Sequence, residues 1–468
     1  MDDAPQSDSI RLDAQALSFT RDIWASLGGD PVWLSKVGFS GHGDLLSAFA
    51  VSDLAAGSIA AAGLAIAELA SAHDSKAVTV DRRLASFWYG MSLRPEGWSM
   101  PAPWDPIAGD YAASDGWIRL HTNAPHHRDA ALRVLGTQAD KVAVTAAVAR
   151  WRADDLEAAV VAQGGCAATM RDLAAWADHP NGRAVAAEPL VWRDDGDAAP
   201  PTDWSPAPDR PLAGVRVLDL TRVLAGPVAT RFLAGFGADV LRIDPPGWDE
   251  PGVIPSVTLG KRCARLDLKQ ANDMRVFKDL LAEADVLVHG YRPDALAGLG
   301  LDAAARRACR PGLVDVSHDA YGWTGPWHGR RGFDSLLQMS SGTAAEGMRR
   351  FGTDRPKPLP VQALDHATGY IVAAAAIRGL TRRRVAGVGF SARTSLARAA
   401  ELLMAVPTPE PRDEPAPLEA ADFEEAIEAT AWGPGRRLKP PLTVAGTSMR
   451  WDRPACELGS SEAVWLPR

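Results

Sequence analysis

Short unbroken apolar runs alternate with helix-period stretches along residues 214–322. GVRVLDLTR (214–222), ADVLRID (238–244), DVLVHGY (285–291) and GLVDVSHDAYG (312–322) read as buried strands. VATRFLAGFG (228–237) and MRVFKDLLAEA (274–284) read as helices between them. Strand, helix and strand in this order predict a mostly parallel sheet covered by helices, with ligands at the carboxyl ends of its strands. The region before it is patterned differently. An Ala-rich helix, SDLAAGSIAAAGLAIAELA (52–70), leads into the apolar-to-helical piece AVTVDRRLASFW (77–88). GDYAASDGWIRLHT, from 109, then predicts a short hairpin around the turn signal SDG. Helices are expected at about 126–136, 139–162 and 170–179, which makes this a small α+β unit.

Breaks in the pattern divide the chain. Pro, Asp and Gly are dense around 195–212, and a second acidic, Pro-rich stretch covers 406–425. The expected domains are a first block over 1–195, a linker over 196–210, a sheet block over 211–405, a second linker over 406–430 and a tail over 431–468. Residues 1–40 carry no pattern that assigns them. The formal charge of -8 over 468 residues argues against a nucleic-acid binder, which would need a basic footprint. Four cysteines without CxxC spacing point to neither a disulfide scaffold nor a thiolate zinc site. The polar start, MDDAPQSDSIRLD, lacks the features of a signal peptide. Asp53 and Glu68 in the Ala-rich helix favour burial over a membrane span, so a cytoplasmic protein without membrane or nucleic-acid partners is expected.

No P-loop, HExxH, GxSxG or EF-hand spacing is present, and TRVLAGPVAT lacks the glycines of a dinucleotide fingerprint. Asp365 stands before a helix expected to begin near Thr368, between mostly apolar neighbours. Two readings are open for it: a helix cap accepting a first-turn N–H, or a partly buried nucleophile aimed by the helix terminus. LDHATGYIVAAAAIRGL (364–380) echoes SDLAAGSIAAAGLAIAEL (52–69), each with Asp, three residues, Gly and an Ala-rich helix. Asp53 therefore faces the same choice, and with no parallel sheet before it reads as structural. Arg242, Lys261, Arg262 and Arg292 lie near strand ends. Singly each reads as solvated surface charge; together, in an acidic protein, they fit an anion site for phosphates. The loop YGWTGPWHGRRGFD (321–334) is suited to closing over a ligand. His318, His328 and His366 form no metal spacing, so no metal is expected.

PLAGVRVLDLTRVLAGPVATRFLAGFGADVLRIDPPG (211–247), TLGKRCARLDLK, ADVLVHGYRPDAL and GWTGPWHGRRGFDSLLQMSSG resemble the family III CoA-transferases at family spacing. That group contains the formyl-CoA:oxalate and carnitine CoA-transferases and has the 2-methylacyl-CoA racemases as relatives. The resemblance implies an α/β fold with a Rossmann-like parallel sheet and a small α+β domain at about 105–195. It maps the catalytic aspartate onto Asp365 in VQALDHATGYIVAAAAI, and it gives Arg242, Lys261, Arg262 and Arg292 the phosphates or adenine region of CoA. The implied reaction carries CoA from an acyl-CoA to a carboxylic acid through aspartyl anhydride and aspartyl-CoA thioester intermediates. Coenzyme A is then a co-substrate, and no cofactor is bound permanently. The first block resembles the family's other half, with the small domain ahead of the sheet instead of behind it, and LKPPLTVAGTSMRW (438–451) resembles its closing return to the large domain. This order implies a fusion of two partial copies. The family's interlocked dimers imply a homodimer, with threading that can differ here.

Two departures narrow the reading. The racemases carry a glycine–histidine–aspartate segment where this chain has Gly332-Phe333-Asp334, and Phe333 cannot move a proton. Leu224 replaces a glutamine of the oxalate enzyme, which argues against formyl or oxalate specificity. The alternatives are a catalytically inactive CoA-binding or scaffolding relative, a racemase-like enzyme, and a ligand-binding module without CoA chemistry.

Overall fold

The computed structural model describes residues 4–71, 76–200, 204–406 and 413–467. The central sheet has seven strands: β1 (Trp192–Ala198), β2 (Arg216–Leu220), β3 (Asp239–Asp244), β4 (Arg262–Arg265), β5 (Val286–His289), β6 (Val314–Asp319) and β7 (Val388–Ser395). Their order across the sheet is β4-β3-β2-β5-β6-β7-β1. β2 to β7 run parallel, and β1 closes one edge antiparallel to β7. The strands at 216–220 and 239–244 are parallel neighbours, as the alternation of strand and helix predicts. Chain order reverses between β2 and β5, where open sheets of this kind leave a crevice at the carboxyl ends.

Both faces of the sheet are covered, and this explains the nearly unbroken apolar runs. Val217, Val240, Val288 and Val316 face a core shared with helices α3 (Ala225–Gly235) and α5 (Ala363–Ala386). Leu218, Leu241, Ile243 and Leu287 face the other way, toward Phe277, Leu280 and Leu281 of helix α4 (Ala271–Glu283). Small residues bring α5 close to its neighbours. A Cβ on Gly369 would stand 2.5 Å from the Ala225 carbonyl oxygen and 2.8 Å from Val228 Cβ.

The first block repeats part of this arrangement. Strand Val37–Ser40, helix α1 (Val51–Ala70), strand Val78–Asp81 and helix α2 (Arg82–Trp88) follow one another, and the two strands pair in parallel. β6, α5, β7 and helix α6 (Leu396–Met404) follow the same scheme, with β6 and β7 also parallel and two helices, Asp334–Ser340 and Thr343–Phe351, inserted between β6 and α5. Asp53 and Asp365 are each the third residue of the long helix. Asp81 and Ser395 each cap the helix after the second strand, accepting from the N–H groups of Leu84 and Arg398. α1 is the one helix among the described residues long and apolar enough to cross a membrane; it is buried, packed against α5 and the helix Ala4–Ser26.

The small unit forms as the hairpin signal predicts. Gly109–Ala112 pairs antiparallel with Trp117–Leu120, and Ala167–Thr169 joins as a third strand. Three details differ from the sequence pattern. The helix expected over 139–162 breaks at 149–152 into Lys141–Val148 and Ala153–Ala162. Residues 192–198, the start of the Asp- and Pro-rich stretch, form the edge strand β1, because backbone pairing with β7 needs no apolar side chains. The tail first pairs Gly433–Arg437 with Leu93–Pro95 and then adds Leu442–Val444 to the strand Val78–Asp81, both in the first block. It then crosses to the large domain, where Trp451 Nε1 donates to the Arg231 carbonyl at 2.8 Å. Parts of both expected linkers, 201–203 and 407–412, lie outside the described residues.

Candidate active site

Asp365 sits inside the first turn of α5, which begins at Ala363 and not near Thr368. The cap of this helix comes from elsewhere in the chain, since Gln362 at its N-cap makes no side-chain cap bond. Asp334 Oδ2 accepts from the N–H groups of Leu364 at 2.8 Å and Asp365 at 2.9 Å. Gln338 Nε2 donates to Asp334 Oδ1, while Gln338 Oε1 accepts from the Leu359 N–H at 2.7 Å. Asp334 thus holds the backbone of Asp365 and leaves the Asp365 side chain out of the cap. Among the described residues that carboxylate has no hydrogen bond or ion pair, and the residue is 8% exposed.

Asp53 has the opposite surroundings at the equivalent position. Arg82 Nη1 donates to its Oδ1 at 2.6 Å, the same guanidinium binds Asp44, and Asp53 is 1% exposed. One of the two echoing aspartates is held by a cation, and the other has none among the described residues.

The protonation of Asp365 follows from these surroundings. Burial, and then the negative charge of Asp334, push its carboxyl well above the usual carboxylate range. Burial likewise lifts Asp334, to about 6, against the bonds from Gln338 and the two backbone N–H groups. Both carboxyls therefore keep their protons to higher pH in the folded chain than in the unfolded one. Their contribution to stability is complete below the unfolded values and fades as pH rises through the folded ones. A nucleophilic role needs the ionised form, so kcat/KM should fall on the acid side with a midpoint above the ordinary carboxylate range. Asp334→Asn removes the like charge and should move this limb to lower pH. It should also lower kcat by about 10²-fold, because the new amide cannot accept from both the helix N–H groups and Gln338. A pH–rate profile of both forms checks the prediction; an unmoved limb would show that the two carboxyls do not interact.

The four basic residues named from the sequence occupy different places. Arg242 is fully buried, with Nε and Nη2 on Asp244 at 2.8 and 3.0 Å and Nη2 also on Glu250. Lys261 Nζ is buried on Asp219 Oδ2 at 3.0 Å and the Pro227 carbonyl at 2.9 Å. Arg262 pairs with Asp239 at 2.9 Å, at the amino end of β3. These three cations are committed to carboxylates, which corrects the expectation that Arg242, Lys261 and Arg262 form an anion site for phosphates. Alternation along the strands explains the burial: Arg242 points to the same face as Val240, into the core shared with α3 and α5.

Arg292 alone of the four lines a cavity, one of about 630 Å³ between the small unit and the 326–331 loop. Arg331 lines it too, and among the described residues neither side chain has a hydrogen-bond or ion-pair partner. Arg171 and Arg330 share the cavity wall but are bridged by Glu157 at 2.7 and 2.6 Å, and both lie over the Trp327 ring. Asp365 does not line this cavity. The chain joins the two places directly: Arg331 is on the cavity wall, and Asp334, three residues on, holds the Asp365 amide. The small unit covers the same segment. His121 stacks on Phe333 at 3.7 Å between ring centroids, and its Nδ1 lies 3.3 Å from Ser335 Oγ. Asp334 and Arg331 escaped the sequence reading, although both lie in the loop and the GFD segment it singled out. Their roles depend on contacts with residues far off in the chain.

Residues 212–423 match the family model described as CoA-transferase family III. The chain is 35% identical over 195 residues to the succinyl-CoA:glutarate CoA-transferase of Mus musculus, covering 38% of this chain and 44% of that protein. It is 32% identical over 214 residues to the acetyl-coenzyme A transferase nodX of Hypoxylon pulicicidum, covering 45% of this chain and 35% of that one. The crystal structure of Rv3272 from M. tuberculosis matches at 28% identity with a TM-score of 0.38, over 42% of this chain and 59% of that chain. The chain thus spans about a third to three-fifths of the length of these relatives.

Proposed function

We propose that this chain, whose residues 212–423 match the family III CoA-transferase model, is a member of that superfamily and moves CoA from an acyl-CoA to a carboxylic acid by way of Asp365. The observation that carries this reading is the contrast between the twin aspartates, Asp53 bound to Arg82 and Asp365 without a partner among the described residues. In the reaction an Asp365 oxygen attacks the thioester carbonyl; the C–S bond breaks, and CoA thiolate leaves behind a mixed anhydride. The thiolate then attacks the Asp365 carbonyl, releasing the donor as a carboxylate and leaving an aspartyl-CoA thioester. The acceptor carboxylate attacks that thioester and expels the thiolate, which takes the acceptor acyl group and returns Asp365 to its carboxylate. Each step exchanges one activated acyl group for another. Arg292 and Arg331, on one cavity wall, are the residues we assign to the CoA phosphates.

We read the strand order as Rossmann-like and the chain as two partial copies in fusion. The repeated strand–helix–strand–helix unit, with Asp53 and Asp365 at one position, supports the second point. The homodimer rests on the resemblance alone, and the cytoplasmic location on Asp53 and Glu68 in the Ala-rich helix. Nothing in the site favours the racemase-like alternative, since Phe333 is packed face to face on His121 and carries no proton.

The test supplies succinyl-CoA or acetyl-CoA with isotopically labelled carboxylates, because the named relatives are transferases of such thioesters. Labelled acceptor-CoA is the expected product. Hydrolysis without an acceptor, or exchange of the α-proton alone, would overturn the proposal.

A further inference from the structure

Val223 is the one non-glycine residue with positive φ among the described residues, at 62° in the loop between β2 and α3. A β-branched residue rarely adopts this conformation, and the surrounding structure must impose it. The imposing group is Glu250. Val223 N–H donates to Glu250 Oε2 at 2.8 Å, Trp248 Nε1 donates to the same oxygen at 3.0 Å, and Arg242 binds Glu250 Oε1. Arg242 is itself fixed by two bonds to Asp244. On either side of Val223 the loop is tied as firmly. Thr221 N–H donates to Asp219 at 2.9 Å, and Asp219 is held by Lys261. The Arg222 guanidinium lies over the Trp248 and Tyr291 rings.

The packing of α5 on α3 directs this loop toward the Asp365 end of α5. Gly369 packs on Ala225 and Val228 of α3, and Asp365 is one helical turn earlier on the same face of α5. Moving one turn toward the start of α5 therefore leads from the first turn of α3 to the residues just before it.

We infer that Glu250, anchored by Arg242, is a positioning residue that holds Val223 in its left-handed conformation and so sets the β2–α3 loop against Asp365. The inference rests on the transferase reading of Asp365. It gives the buried Arg242 a role through Glu250 and not through a ligand. Glu250 touches no reacting atom, so its loss should lower kcat and leave KM for the acyl-CoA nearly unchanged.

Glu250→Ala should reduce kcat at least 10-fold, and Glu250→Gln, which keeps an acceptor for the Val223 N–H, should retain more of it. The decisive variant is Val223→Gly placed in the Glu250→Ala background. Glycine reaches positive φ without help, so this pair should regain most of the lost kcat. A merely structural Glu250, serving Arg242 and Trp248, would gain nothing from glycine at 223. Amide hydrogen exchange gives a readout independent of turnover: the Val223 N–H should be protected in the parent and lose protection in Glu250→Ala. Parent protein that transfers no CoA would count against the transferase reading, and exchange would still decide the brace. Unchanged exchange at Val223, or full kcat in Glu250→Ala, or no regain with glycine, would overturn the inference.

Discussion

Asp365→Asn should abolish CoA transfer, by about 10⁴-fold or more, without destabilising the protein. Asparagine keeps the shape of the side chain but has no carboxylate oxygen to attack a thioester and form an anhydride. The Asp365 side chain holds nothing in place, because its amide is capped by Asp334 and its carboxylate has no partner among the described residues. Substitution also removes a carboxyl that burial and Asp334 already disfavour in the ionised form. The thermal midpoint should therefore stay level or rise. Loss of function without loss of stability marks a group kept for chemistry. Steady-state transfer rates together with thermal melts of Asp365→Asn and Asp53→Asn check this. Full activity in Asp365→Asn with loss in Asp53→Asn would reverse the assignment.

Arg82→Ala should have the opposite profile. The Arg82 side chain is 3% exposed and binds both Asp53 and Asp44. Breaking a buried ion pair by removing one partner costs about 3–5 kcal/mol, since charge is left behind in a medium that solvates it poorly. Here the removed cation faces two carboxylates, and Asp53 opens α1, the helix against which α5 packs. The loss should appear as a lower denaturant midpoint, with kcat per folded molecule preserved. A drop in kcat at full stability would mean that the Arg82 pair takes part in the reaction.

These two aspartates show how far the sequence carried the argument and where it stopped. Their common place in the fold was legible, because Asp, three residues and Gly before an Ala-rich helix is a local pattern. Their different chemistry was not legible: a parallel strand pair flanks Asp53 as well, contrary to the expectation that none precedes it, and only the fold brings Arg82 onto Asp53. The parallel neighbours β2 and β3 and the hairpin at 109–120 were legible for the same reason: periodicity is local. Asp334 was not, because it caps a helix that starts 29 residues later in the chain. The basic residues misled for a related reason. Arg242 and Lys261 sit near strand ends, where phosphate ligands are common, but only the fold shows Asp244, Glu250 and Asp219 closing on them. β1 was hidden by its composition, an Asp-rich edge strand held by backbone pairing.

The most direct test is to locate the covalent intermediate. The protein, incubated with a consumed acyl-CoA and no acceptor, is digested and its peptides are weighed. A CoA-sized adduct, removable by hydroxylamine, should appear on the peptide containing Asp365 and be absent from Asp365→Asn. An adduct on the peptide containing Asp53, or CoA turnover with no adduct on either, would contradict the account.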